Sequence, residues 1–240
     1  MPASTSDRLP SPGNLSDKAY EHIRRRVFSG ELPPGTRLVN RKLAESIGSS
    51  FIPVREAINR LASEGVVDQV AGAGAFVRSF ERQEVSEIYD VRELVEPFAA
   101  GQAARLMTDH ELDELQAVFE DWDRLGRTII ATKRNLTADQ LEQWLLLNQR
   151  FHEVIITASR NRFLAKIVTD AHVLSRCFAA HRMLPHLLSH ALVRSTLKSH
   201  RQLLAALAKH DSTAAESVVR EQLRIGRKSV LGFLDQQRSL

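Results

Sequence analysis

Residues 40–64 read NRKLAESIGSSFIPVREAINRLASE. Leu43, Ala44 and Ile47 stand at helical spacing and make a short apolar stripe. Gly48 stops that helix, because glycine accepts the positive φ that other residues resist. Ser49 and Ser50 follow as turn or N-cap residues. Pro53 suits the first turn of a second helix, where a missing N–H costs nothing. Val54, Ala57, Ile58 and Leu61 then recur at i, i+3, i+4 and i+7 as one buried face, and Gly65 ends it. Two short helices joined by a tight turn form a helix-turn-helix, whose second helix can lie in a DNA major groove. Its opposite face carries Arg55, Asn59 and Arg60, which can reach phosphates or base edges.

A plain helical hairpin with a solvated polar face satisfies the same pattern. The residues that follow weigh against it. Val66–Val70 reads as a strand, Ala71-Gly72-Ala73-Gly74 as a turn and Ala75-Phe76-Val77 as a second strand. A hairpin directly after the second helix is the wing of a winged helix. Gly72 and Gly74 let its backbone approach a phosphate or the minor groove. Upstream, Leu15–Phe28 reads as a helix with Ala19, Ile23 and Val27 on one face, closed by Gly30 and a Pro33-Pro34-Gly35 loop. Residues 1–13, rich in Pro, Ser and Thr, read as a disordered tail. The expected first domain is therefore a winged helix over residues 14–80.

From Glu84 the strand signal fades and long amphipathic helices take over. Ile88, Val91, Leu94, Val95 and Phe98 mark the first. Thr108-Asp109 caps a second, with Leu112, Leu115, Val118, Phe119 and Trp122 expected in the core. A third starts at Thr137 and carries Trp144, Asn148, Phe151 and His152. A fourth follows Asn161, Pro185 interrupts the pattern, and two more run from about Leu187 to Lys209 and from Ser212 to about Leu234. The expected fold is mainly α: a winged helix-turn-helix followed by an all-α bundle of six or seven helices over residues 84–236.

Composition narrows the function. The single cysteine, Cys177, allows no disulfide within the chain, which fits a reducing cytoplasm, and we read it as a small buried apolar residue. No apolar run approaches a membrane span, and the first residues lack the apolar core of a secretion signal. A cytoplasmic protein without a membrane partner is expected. The net charge is +4, and residues 1–80 hold 11 Lys and Arg against 8 Asp and Glu, so most of the excess lies in the first third of the chain, where the helix-turn-helix falls.

Several stretches together resemble the GntR family of bacterial transcription regulators. They are Pro34-Gly35-x-x-Leu38, Leu43-Ala44, Pro53-Val54-Arg55-Glu56-Ala57, Arg60-Leu61, Glu64-Gly65 and Gly72-x-Gly74-x-Phe76-Val77. The helical half is similar to the C-terminal ligand-binding domain of the FadR subfamily. It carries Tyr89-x-Val91-Arg92-x-x-Val95-Glu96, Phe151-His152 and Ser199-His200-x-x-Leu203-x-x-Ala206-Leu207. The resemblance implies a homodimeric repressor on an inverted-repeat DNA operator, controlled by a small metabolite, often a carboxylate. Its DNA contacts would fall on Arg41, Ser50, Phe51, Ile52, Arg55, Asn59, Gly72 and Gly74. One departure stands out: the family usually has Arg where this chain has Phe51, and often Thr at Ile52. Phe and Ile cannot donate a hydrogen bond but can press on a thymine methyl. Either the operator is unusual or Phe51 turns inward, with Arg55 and Arg41 kept as anchors.

In the helical half, Asn148 and His152 share one helix face, four residues apart, with His200 and Gln222 on later helices. In many FadR-like proteins these positions are Asp, His, His and His, and they bind a divalent metal. Amides are weak neutral ligands, so this set would hold Zn²⁺ or Ni²⁺ loosely. Three readings stay open: a loosely held metal that anchors an organic-acid effector; a metal-free pocket formed by Arg92, Asn148, His152, His200 and Gln222; or polar groups satisfying one another in the core. Arg92 is the expected carboxylate clamp, and a pair with Glu96 at i+4 is the plain alternative. His186 and His190 beside Pro185 read as surface or helix-end residues. A metal-dependent hydrolase is the competing class, and the neutral donors and absent His-Glu-x-x-His motif argue against it.

Overall fold

A computed structural model describes residues 12–132, 137–182 and 189–237, and side chains within these except at 12–14, 138, 176–182, 233 and 236–237. The chain divides into two compact units, Met1–Ser79 and Phe80–Leu240. Residues 1–11 of the expected tail, Pro185 and His186 lie outside the described residues, as does the Cys177 side chain.

Among the described residues the first unit starts with α1 (Pro12–Phe28), so Pro12 and Gly13 belong to a helix rather than to a tail. Proline is tolerated at a first helical position because its φ is already helical. Then come β1 (Arg37–Leu38), α2 (Asn40–Ile47), α3 (Phe51–Ser63), β2 (Val67–Val70) and β3 (Gly74–Val77). Gly48 takes φ 66 and caps α2, with the Ser49 N–H donating to the Ala44 carbonyl at 3.0 Å. Val54, Ala57, Ile58 and Leu61 are all buried, as their spacing requires. Ser50 holds the N-cap position of α3, yet its hydroxyl makes no capping hydrogen bond. The sheet order is β1-β3-β2, both pairs antiparallel, with Arg37 opposite Phe76 and Val67 opposite Val77. Gly72 (φ 74) and Gly74 (φ 109) supply the left-handed conformations of the wing turn.

The second unit is all-α among the described residues: α4 (Arg82–Leu106), α5 (Asp109–Ala131), α6 (Ala138–Ala158), α7 (Arg162–Arg182), α8 (His190–Ala208) and α9 (Ser212–Gln237). Capping boxes start α5 at Thr108 with Glu111 and α6 at Thr137 with Gln140. His190 opens α8, as a helix-end residue does. Trp122, Phe151, Leu115, Leu203 and Leu207 form the centre of the core, and Trp122 meets Trp144 edge-on at 5.0 Å. Leu112 and Val118, expected there, are only half-buried.

α4 presents another surprise. It buries Val85, Tyr89, Glu96, Ala99, Ala100, Ala103 and Ala104. The larger residues Val91, Leu94 and Phe98 are left exposed, Leu94 at 76%. Small side chains let a neighbouring helix come close, and α9 packs along α4. No described helix is long and apolar enough to cross a membrane.

Candidate functional site

In the first unit a cleft of about 850 Å³ opens between α3 and the wing. Arg37, Arg41, Phe51, Arg55, Asn59, Gln69 and the turn residues 70–75 line it, so Gly72 and Gly74 are included. The guanidinium groups of Arg55 and Arg37 are exposed and form no hydrogen bond or ion pair among the described residues. Arg41 is exposed and pairs with Glu45 at 3.1 Å, a contact worth little in water. Asn59 Oδ1 accepts from Gln69 Nε2 at 2.8 Å, which ties α3 to the wing. Phe51 and Ile52 point outward, 50% and 60% exposed. Ser50 and Ile52 sit outside the cleft lining but are exposed at the start of the same helix.

Arg60 departs from the expected reading face. Its guanidinium lies 3.7 Å over the Tyr20 ring and donates to Asp17 at 3.2 Å, with Glu64 3.5 Å away. It is absorbed in packing α3 on α1. Tyr20 donates its hydroxyl to the Glu64 carboxylate, 2.8 Å from the nearer oxygen. Burial first, and then that carboxylate, push the Tyr20 phenol up to about 12. Arg37 was not evident from sequence, because its place beside the wing depends on the two-residue strand β1.

In the second unit a polar cluster is buried among α4, α6, α7 and α8. His200 Nδ1 lies 2.7 Å from the Thr196 carbonyl, so Nδ1 carries the proton and Nε2 is a bare acceptor. His152 Nε2 sits 3.2 Å from His200 Nε2. We therefore assign the proton between them to His152. Burial holds both rings neutral: it drives His200 down to about 4, and it lowers His152 well below the usual imidazole value, aided by His200 and His172. Arg92 donates Nε to Glu96 at 2.6 Å and Nη1 to Ser175 at 3.2 Å. Burial raises Glu96, but Arg92 and then His172 outweigh it and hold the carboxyl well below the usual range. His172 Nε2 lies 3.0 Å from Glu96 Oε1 without hydrogen-bond geometry.

Glu96, His152 and His172 line a cavity of about 20 Å³, with Ile155, Val168 and Leu203 among its apolar walls. That is room for about one water. Arg92, Asn148, His200 and Gln222 are not in its lining. Gln222 instead donates Nε2 to Ser199 Oγ at 3.1 Å, and Asn148 is half-buried a helical turn from His152. The expected five thus split: Arg92, His152 and His200 join one network, while Asn148 and Gln222 stand apart. Sequence reasoning missed His172 and Ser175. The one signal for His172 was its i+4 relation to Val168 on the buried face of α7.

The fit of a divalent metal to Asn148, His152, His200 and Gln222 is poor. Among the described residues no three His, Cys, Asp or Glu are arranged to hold one. Asn148 and Gln222 offer only neutral amide oxygens, which are weak ligands for such an ion.

A helix-turn-helix with a wing, an arginine-lined cleft beside its second helix and a separate all-α unit define a winged-helix DNA-binding transcription regulator. Comparison with known proteins supplies the family. The model of bacterial regulatory proteins of the gntR family matches residues 15–77, and that of the FCD domain matches residues 87–224. The chain belongs to the GntR family, in the branch that carries an FCD domain. It is similar to the uncharacterized HTH-type transcriptional regulator YdhC of Bacillus subtilis, 27% identical over 88% of this chain and 89% of that protein. The HTH-type transcriptional regulator McbR of Escherichia coli is 28% identical over 87% of this chain and 89% of its own length. Its solved structure superposes with a TM-score of 0.73, covering 93% of this chain and 98% of that one. The gluconate operon transcriptional repressor of Bacillus subtilis is 29% identical over 62% of this chain and 56% of its own length. These names are those of regulators, and the chain is a regulator rather than an enzyme.

Proposed function

We propose that the chain is a homodimeric repressor that reads an inverted-repeat operator through α3 and is released by a small organic acid bound in its helical unit. The observation that carries this reading is the buried cluster of Arg92, Glu96, His152, His172 and His200 in an otherwise apolar bundle. A bundle built only for stability gains nothing from such groups, since each must be desolvated and paired. The contact between His172 Nε2 and Glu96 Oε1, 3.0 Å long, is out of line for a hydrogen bond, and an occupant of the adjoining cavity would give the ring a better-aligned partner.

The cavity is smaller than any organic acid. An effector therefore has to displace side chains to enter, and its binding changes how α4, α6 and α7 pack. Arg92 is already neutralised by Glu96, so an incoming carboxylate competes with Glu96 for the guanidinium. α4 begins at Arg82, three residues after the first unit ends at Ser79, which makes it the natural element to transmit that change.

The dimer reading rests on exposed apolar residues. Val91, Leu94 and Phe98 on α4, and Phe163 and Ile167 on α7, are large side chains left in water. Monomers rarely leave such a surface uncovered. Repression follows the relative named as a repressor of the gluconate operon.

A loosely held metal is the second reading, favoured by the two imidazole Nε2 atoms facing each other at 3.2 Å. Thermal melting against a panel of sugar acids, hydroxy acids and dicarboxylates, with and without chelator, separates the two. Stabilisation by an organic acid that survives chelator and disappears in Arg92→Ala supports the metal-free pocket. Stabilisation abolished by chelator supports the metal. No shift with any acid contradicts effector binding of this class.

A further inference from the structure

The start of α3 is an apolar tip set in a cationic frame. Phe51 and Ile52 are 50% and 60% exposed, whereas Val54, Ile58 and Leu61 of the same helix are at most 3% exposed. They stand on the first turn, the part of a reading helix that meets base edges. Unpaired Arg55 follows one turn later, and Arg37 and Arg41 line the adjacent cleft. Such a frame suits a polyanion rather than an apolar protein surface. Asn59, whose side chain suits bidentate reading of adenine, already has its oxygen engaged by Gln69. In a major groove the apolar feature that a base edge offers is the C5-methyl of thymine.

We propose that Phe51 and Ile52 read thymine methyl groups in the operator half-site, so that sequence preference rests on apolar contact. This rests on α3 being the reading helix. Burying one methyl corresponds to about fourfold in affinity.

The test uses the full chain and DNA alone. Duplexes enriched from a random-sequence pool define the operator, and each thymine in it is then replaced singly by deoxyuridine, which removes only the methyl. At one or two positions per half-site the affinity should fall about fourfold. In the Phe51→Ala/Ile52→Ala variant the same replacements should have no effect. Both side chains are exposed, so the variant should melt with the wild type, and Phe51→Leu should keep part of the discrimination. The proposal is overturned if no deoxyuridine weakens binding, or if the loss is as large in the double variant. Arg55→Ala tests the premise separately: wild-type affinity in that variant would remove α3 as the reader, whereas a failure confined to the uracil series removes only the methyl contact.

Discussion

Arg55 and Arg60 are five residues apart on one helix, yet their surroundings give them different work. Arg60 is spent on Tyr20, Asp17 and Glu64, while Arg55 faces the cleft without a partner. Arg55→Ala should therefore weaken operator binding by about 1–3 kcal/mol with little change in stability, read by fluorescence anisotropy and thermal melting. Arg60→Ala should do the reverse, loosening α3 from α1. Equal losses of affinity in the two variants would contradict the assignment. Tyr20 offers a pH test. Its folded value of about 12 lies above the value of about 10 expected for an unfolded chain. The fold thus favours the protonated phenol. That contribution is complete below about pH 10 and is lost as pH rises from there toward 12. Urea unfolding of the first unit from pH 8 to 11 should show stability falling at the alkaline end in wild type and less steeply in Tyr20→Phe. Identical slopes would show that Tyr20 is not the titrating group.

Among the elements, α5 and α8 approach closely at Gly126, where an added Cβ would lie 2.4 Å from Leu197 Cδ1 and 3.4 Å from Trp144. Gly126→Ala gains about 1 kcal/mol of helix propensity but overpacks a core contact at a cost of about 1–3 kcal/mol. A net loss of stability is expected, measured by chemical denaturation, and a gain would show that Leu197 can move aside. The elements most legible from sequence are those whose cause is local. Gly48 between two apolar stripes, and Thr108 and Thr137 three residues before Glu111 and Gln140, announce their helix ends without any long-range contact. Elements chosen by distant partners were hidden. β1 is two residues long and exists because β3 pairs with it. α4 is apolar on more than one face, and its alanines, not Leu94 or Phe98, lie on the buried side. His172 is one histidine in a helix until packing carries it to within 3.0 Å of Glu96. The outward faces of α4 and α7 have a testable use: Leu94→Glu should shift the chain from dimer to monomer in sedimentation velocity. A monomeric wild type would contradict that use.

In the whole molecule, the chain carries a winged helix in its first unit and a polar cluster in the interior of its second. Within the cluster the Arg92 charge is balanced by Glu96, and burial holds His152 and His200 neutral. Under the proposed function an anionic effector would upset that balance and so alter helix packing. A coupling of about 1–3 kcal/mol between effector and operator is the usual size of such an effect. The most direct test is a titration of the selected operator duplex with wild type and Arg92→Ala, each with and without the organic acid that raises the melting temperature. If the effector acts through Arg92, the acid weakens operator binding by wild type about tenfold or more and leaves Arg92→Ala unaffected. An operator affinity of the wild type that does not change at saturating acid would contradict it.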